Sequence, residues 1–230
     1  MANRITRHIP NTITCCNLLS GCMAVIAAFN SKPLYALLWV VAGALFDFCD
    51  GLSARALKAY SPIGKELDSL ADLVTFGLAP SVLCFITLKG MSYPCDALGT
   101  YYPYIGFIIV TFAALRLAKF NTDERQTTSF LGLAVPANAL FWCGLFQIDM
   151  TELSYSPWII GILVILFAGL MVSEIPMFSL KFKSLRWADN KVRFIFLIVS
   201  VVILALLREK GLPAVIGWYI ILSILTKGRH

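Results

Sequence analysis

Apolar residues run through this chain in long blocks separated by short polar stretches, rather than in the one-sided stripes of helices that bury one face and wet the other. Blocks bounded by charge, Gly or Pro lie at about 12–29, 34–57, 67–88, 102–117, 131–148, 158–172, 192–207 and 212–225. A helix needs about 20 mostly apolar residues to cross the hydrocarbon core of a bilayer, and most of these blocks approach that length. They predict about eight transmembrane helices in an all-α, polytopic integral membrane bundle. The last two blocks are short, and the fifth holds Pro136 and Asn138, so bilayer thinning or altered tilt is expected there.

Composition narrows the picture. Of 230 residues, 59% are hydrophobic and only 14% charged, with a mean hydropathy of +0.79, which excludes a soluble globule, a disordered chain, collagen and a coiled coil. The net charge of +6 reflects cytoplasmic loops rather than a nucleic-acid partner, because Lys and Arg accumulate on the inner side of membrane proteins. With the N-terminus inside, fifteen Lys and Arg residues fall on the cytoplasmic side, and only Lys32, Lys89, Arg208 and Lys210 fall opposite. Both termini are therefore expected in the cytoplasm. Neither repeats nor long linkers divide the chain, so residues 1–230 read as one membrane domain. A short amphipathic, interfacial segment at 1–11, with no removable signal, precedes a six-helix core at 12–172 and two further helices at 192–225. The seven cysteines lack CxxC spacing and read as small core residues, not as disulfides or a zinc site.

Chemistry concentrates at the junction of the second and third blocks. Asp47 and Asp50 are three residues apart and Asp68 and Asp72 four apart, so each pair shares one helix face. A short connection through Tyr60, Ser61, Pro62 and Gly64 makes the two helices antiparallel neighbours, and four carboxylates can converge. Such a cluster is costly in a poorly solvated place unless cations lie between the charges. Oxygen-only ligands favour Mg²⁺ or Mn²⁺, and two ions are plausible. Gly51, Ser53, Ala54 and Gly64 clear space for a phosphate-bearing ligand, and Arg55 offers a fork for an anion. A plainer alternative pairs the acids with Arg55, Lys58 and Lys65 at the membrane surface.

Written out, the segment is Asp47-x2-Asp50-Gly51-x2-Ala54-Arg55-x8-Gly64-x3-Asp68-x3-Asp72, which resembles the signature of the CDP-alcohol phosphotransferase family at all eight fixed positions. The resemblance implies a membrane enzyme that displaces CMP from a CDP-linked donor with an alcohol. It implies a catalytic core at 12–172, metal ligation by Asp47, Asp50, Asp68 and Asp72, and service by Asp72 as general base. Nucleotide and pyrophosphate contacts are implied at Gly51, Ala54, Arg55 and Gly64. Asn11 and Thr14 join them as candidates from the first span, with helix capping the alternative for Asn11.

The wider match narrows the acceptor. Pro10-Asn11-Thr12-Ile13-Thr14, Asn17-Leu18-Leu19-Ser20-Gly21, the run from Ser61 to Asp72, and Leu115-Arg116-Leu117-Ala118-Lys119-Phe120-Asn121 look like the bacterial and archaeal phosphatidylserine synthase branch of the family. Ala134 stands where that branch leads us to expect Pro, and Lys119 where Arg is commoner. The branch implies CDP-diacylglycerol and L-serine as substrates, a homodimer among membrane lipids, and a prokaryotic inner membrane with the active site facing the cytoplasm. A serine pocket needs a cation for the carboxylate, and Arg116, Lys119, Asn121 and Arg125 are the candidates; positive-inside charges solvated by lipid phosphate are the alternative. Glycerol-3-phosphate, inositol phosphate or choline would be other acceptors. A cation transporter is the distant rival, although the far half of the bundle carries almost no ionisable groups.

Clustered carboxylates that need cations make a direct expectation: chelation by EDTA abolishes CMP release, and added Mg²⁺ or Mn²⁺ restores it. Full CMP release in chelator would eliminate the metal.

Overall fold

The computed structural model of the chain describes residues 8–122, 130–148, 156–178 and 187–226, and these are almost entirely helical. Helix α1 (His8–Phe29) and helix α2 (Pro33–Ala56) form the most extensive pair. The turns at the two ends of α2 close in the same way. At the α1–α2 turn, the Lys32 N–H donates to the Ala27 carbonyl and the Ser31 N–H to the Ala28 carbonyl, with Ser31 left-handed at φ 53°. At the far end of α2, the Ala59 N–H donates to the Ala54 carbonyl and the Lys58 N–H to the Arg55 carbonyl, with Lys58 at φ 49°. Both are Schellman closures, which satisfy the last carbonyls of a helix, and both use a side-chain-bearing residue where Gly is commonest.

Helix α3 (Pro62–Asp72) restarts at once. Ser61 caps it by accepting a 3.0 Å hydrogen bond from the Gly64 N–H, and Pro62 occupies the first turn, where a missing N–H costs nothing. The path then widens into a π-helical segment, Leu73–Leu78, and continues as α4 (Ala79–Lys89). A short α5 (Asp96–Tyr101) and a 3₁₀ segment (Tyr102–Phe107) lead into α6 (Ile108–Thr122). After them come α7 (Val135–Leu145), α8 (Pro157–Val172), α9 (Trp187–Leu207), a 3₁₀ turn (Arg208–Gly211) and α10 (Leu212–Leu225). The one strand pair among the described residues is β1 (Phe130–Leu131) against β2 (Pro176–Met177), antiparallel.

Among the described residues, five helical paths are long and apolar enough to cross a membrane: His8–Phe29, Pro33–Ala56, Pro62–Lys89, Asp96–Thr122 and Asn190–Leu225, with α7 and α8 as shorter apolar helices. Large hydrophobic side chains cover the outside, with Leu206 at 76% exposure, Leu225 at 73% and Ile162 at 66%. Such an apolar outer shell is stable only against lipid, and the chain is an all-α polytopic membrane protein. The interior is filled by Phe76, Leu83, Ile109, Trp142 and Ile160.

Among the element limits that differ from the sequence reading, two bear on residues singled out there. His8 is already helical, so Asn11 lies inside α1 and does not cap it; Pro10 is tolerated because it falls in the first described turn. The fifth apolar block yields a helix only over Val135–Leu145. Upstream, Gly132 takes φ +73° while its N–H donates to the Ile175 carbonyl, and a Cβ there would lie 2.5 Å from the Met171 carbonyl oxygen.

Close crossing of α1, α2 and the π segment rests on glycines. A Cβ on Gly21 would lie 2.5 Å from Thr75 Oγ1 and 2.8 Å from Thr75 Cα, and one on Gly43 would lie 2.5 Å from Thr75 Cγ2. Gly51 has open space instead. Gly21→Ala should therefore lower the apparent melting temperature in detergent by several degrees, in keeping with the roughly 1–3 kcal/mol cost of overpacking. Gly51→Ala should leave it unchanged, so equal melting temperatures for the two variants would show that the crossing is not tight.

Candidate active site

The hairpin between α2 and α3 turns two helix faces toward each other, and three of the four aspartates meet there. Asp47, Asp50 and Asp68 each offer a carboxylate oxygen, and these oxygens lie within 4.8 Å of one another. Two charges about 5 Å apart repel by roughly 3 kcal/mol at an effective dielectric near 20, so three together require compensation. Some comes from α1. The Thr14 hydroxyl lies 2.6 Å from Asp50 Oδ2 and 3.0 Å from the Pro10 carbonyl, and its single proton makes the stronger bond to the carboxylate. Asp68 Oδ1 is buried and has no hydrogen-bond donor. An orphaned carboxylate oxygen within an all-oxygen trio is the environment that a hard divalent cation completes, and the residues present fit that group.

Asp72 falls outside this trio, one turn further along α3. Its Oδ1 accepts a 3.0 Å hydrogen bond from Asn17 Nδ2 of α1. Helix spacing led to the expectation that all four carboxylates converge; three lie within 4.8 Å of one another, and Asp72 adjoins them, interacting electrostatically with each while bonding to Asn17.

Beside the trio opens a cavity of about 220 Å³. Asn11, Thr14, Gly51, Ala54 and Gly64, all expected at the nucleotide, lie on its wall with Asp50 and Asp68. The space beside Gly51 is open, since a Cβ built there meets no neighbouring side chain or other element within 4 Å. At Gly64 the same construction meets Asn11 Oδ1 and Ser61 Oγ, each at 3.0 Å, so glycine there lets the α3 backbone approach α1. Arg55 is different. It is not among the lining residues; its side chain is exposed and Nε donates to the carbonyl of Gly51 at 3.0 Å. The wall also includes Tyr60 and Lys65, which sequence reasoning placed only in the connection or among surface cations. Their proximity to Ser61 and Gly64 was the available signal.

The expected acceptor residues separate. Arg116 is buried at 4% exposure on the inward stripe of α6 that also holds Ile109 and Ala113; its Nε has no hydrogen-bond partner, and its guanidinium lies 5.1 Å from the centre of the Phe120 ring. Lys119 Nζ donates to the Val172 carbonyl at the end of α8 and lies 3.9 Å from Glu174 Oε1. Asn121 ties α6 to α3: its Nδ2 donates to Ser69 Oγ at 2.8 Å, and its carbonyl accepts from Lys65 Nζ at 3.0 Å. Arg125 lies outside the described residues.

Comparison with known proteins places relatives beside this chain. Residues 7–174 match the family model described as CDP-alcohol phosphatidyltransferase. The chain is 35% identical over 172 residues to the CDP-diacylglycerol–serine O-phosphatidyltransferase of Bacillus subtilis, covering 73% of this chain and 88% of that protein. It is 31% identical over 222 residues to the Helicobacter pylori (strain J99) protein of the same name, covering 94% and 89%. A Methanocaldococcus jannaschii protein of that name is 32% identical over 167 residues, 73% of this chain and 72% of the other.

The Thr14 contact generates a prediction. Thr14→Val keeps the shape and removes the donor to Asp50, and loss of a group that orients a metal-binding carboxylate typically costs 10- to 100-fold in metal affinity or activity. The Mg²⁺ or Mn²⁺ concentration that half-saturates CMP release should rise about 10-fold or more. An unchanged metal requirement with a raised donor KM would assign Thr14 to the nucleotide instead.

Proposed function

This chain belongs to the CDP-alcohol phosphatidyltransferase family, and we propose that it transfers the phosphatidyl group of CDP-diacylglycerol to the hydroxyl of L-serine, giving phosphatidylserine and CMP. The observation that carries the reading is the trio of carboxylates within 4.8 Å, drawn from two helices, beside a cavity lined by Gly51, Ala54 and Gly64. Serine as the acceptor is supported by the names of relatives from both bacteria and an archaeon.

In this reading Asp47, Asp50 and Asp68, with Asp72 beyond them, hold divalent metal, either Mg²⁺ or Mn²⁺ and two ions in number. Bound metal supplies charge neutralisation for the pyrophosphate and for both the entering and the leaving oxygen. The chain's own residues do the rest. Gly51, Ala54 and Gly64 admit the CDP moiety close to the backbone, with Asn11 and Lys65 at its edge. The serine oxygen bonds to the phosphorus that carries diacylglycerol, and the bond from that phosphorus to the oxygen of CMP breaks. Asp72 takes the serine hydroxyl proton as the new bond forms. Arg116, a buried cation without a partner at Nε, is the residue best suited to the serine carboxylate. Lys65 is the single cation on the cavity wall among the described residues, whereas a phosphorylated acceptor would call for several. The fifteen-to-four distribution of cations supports an inner-membrane location with this site facing the cytoplasm.

Radiolabelled acceptors offered with CDP-diacylglycerol in membranes test the reading. Serine should support CMP release while glycerol-3-phosphate, inositol phosphate and choline do not; label entering lipid from any of those three instead would replace the acceptor. In the same assay Asp72→Asn should lower turnover by roughly 100-fold or more, the range typical of lost general-base help. Wild-type turnover in that variant would remove Asp72 from the base role.

A further inference from the structure

Asn17 is a polar residue in the middle of α1 with no exposure at all, so no substrate can touch it. It is nevertheless held at two points by the segment that begins at Asp72. Its side-chain Nδ2 donates to Asp72 Oδ1 at 3.0 Å, and its main-chain carbonyl accepts from the Thr75 hydroxyl at 3.0 Å. A carboxylate oxygen facing it can only accept, so the amide must present its N–H there. That orientation leaves Asn17 Oδ1 buried without a donor. A Cβ on Gly43 would lie 2.9 Å from that oxygen, and glycine is what leaves it room. A residue present only to fill space between α1 and α2 would not carry an unpaired buried oxygen, because leucine fills a similar volume without that penalty.

The contact is also built from both sides. Thr75 sits inside the π segment, where the widened turn directs its hydroxyl at the α1 backbone, and the absence of a Cβ at Gly21 allows that approach. π segments that interrupt regular helices are frequent at functional sites. Here the π segment starts directly after the base candidate and contains the threonine three positions beyond it.

We infer that Asn17 is a positioning residue: by occupying Asp72 Oδ1 it fixes the rotation of that carboxylate, so that Oδ2 faces the alcohol proton. The inference rests on the proposed role of Asp72 as the base. Asn17 itself neither accepts a proton nor contacts the reacting atoms. Thr75 and the two glycines hold Asn17 in register with Asp72, and the neighbouring trio is untouched by this contact.

The test is a double-mutant cycle read by kcat, by both KM values and by thermal stability in detergent. Asn17→Leu should lower kcat about 10- to 100-fold, the scale of loss for a misaligned catalytic group. KM for CDP-diacylglycerol and for serine should stay within about twofold, because neither substrate reaches residue 17. Its apparent melting temperature should stay within a few degrees of wild type, since loss of the orphaned Asn17 oxygen offsets loss of the donor to Asp72. Thr75→Val should lower kcat in the same manner but less. In an Asp72→Asn background the further loss from Asn17→Leu should vanish, as expected of groups that act as a unit. Wild-type kcat in Asn17→Leu, or an undiminished loss in the Asp72→Asn background, would overturn the inference while leaving the base assignment standing. Wild-type turnover in Asp72→Asn alone would overturn both.

Discussion

Everything near the junction of α2 and α3 is arranged around the cost of placing several carboxylates together in a poorly solvated site. Each of Asp47, Asp50 and Asp68 would be expensive alone, and their separation of less than 4.8 Å makes the trio self-repelling. Proteins keep such arrangements when something of opposite charge completes them. The orphaned Asp68 oxygen and the small-residue cavity beside it are the two sides of that requirement: one calls for a cation, the other leaves room for a polyanion.

Meeting it demands precision in how three helices cross. α2 and α3 bring the carboxylates together because two tight closures, at Lys58 and at the Ser61 cap, leave almost no slack between them. α1 then lies against both, donating Thr14 to Asp50 and Asn17 to Asp72. Those contacts depend on Gly21 and Gly43, where any side chain would meet Thr75. In a bilayer the hydrophobic effect does little to hold helices together, so close packing by small residues and buried hydrogen bonds takes that role. The same residues that stabilise the crossing therefore set the geometry of the site.

Further from the carboxylates, α6 is anchored rather than free. Asn121 and Lys65 link its end to α3, and Lys119 links it to the end of α8. Arg116, one turn before Lys119, is left as the buried cation on this helix. Gly132, cradled by the carbonyls of Leu170, Met171 and Ser173, explains why the chain must break helix before α7 and why β1 can pair with β2.

Much of this was legible in the residues alone. The apolar blocks announce a membrane bundle because a bilayer imposes a minimum run length that no soluble fold requires. The spacing of the aspartates, with Gly51, Ala54 and Gly64 among them, marks the site, because helical periodicity fixes which residues share a face on one helix. Periodicity says nothing about how one helix is rotated or shifted against another. For that reason spacing could group the four aspartates but could not say which neighbour each side chain meets. Side-chain contacts supply that: Asn17 bonds to Asp72, Lys119 to the end of α8, and Arg55 to the Gly51 carbonyl. The chain's chemistry was written in its sequence. Which oxygen of which carboxylate meets which neighbour was settled only by the crossing at Gly21, Gly43 and Thr75, where contact distances and not residue spacing set the register.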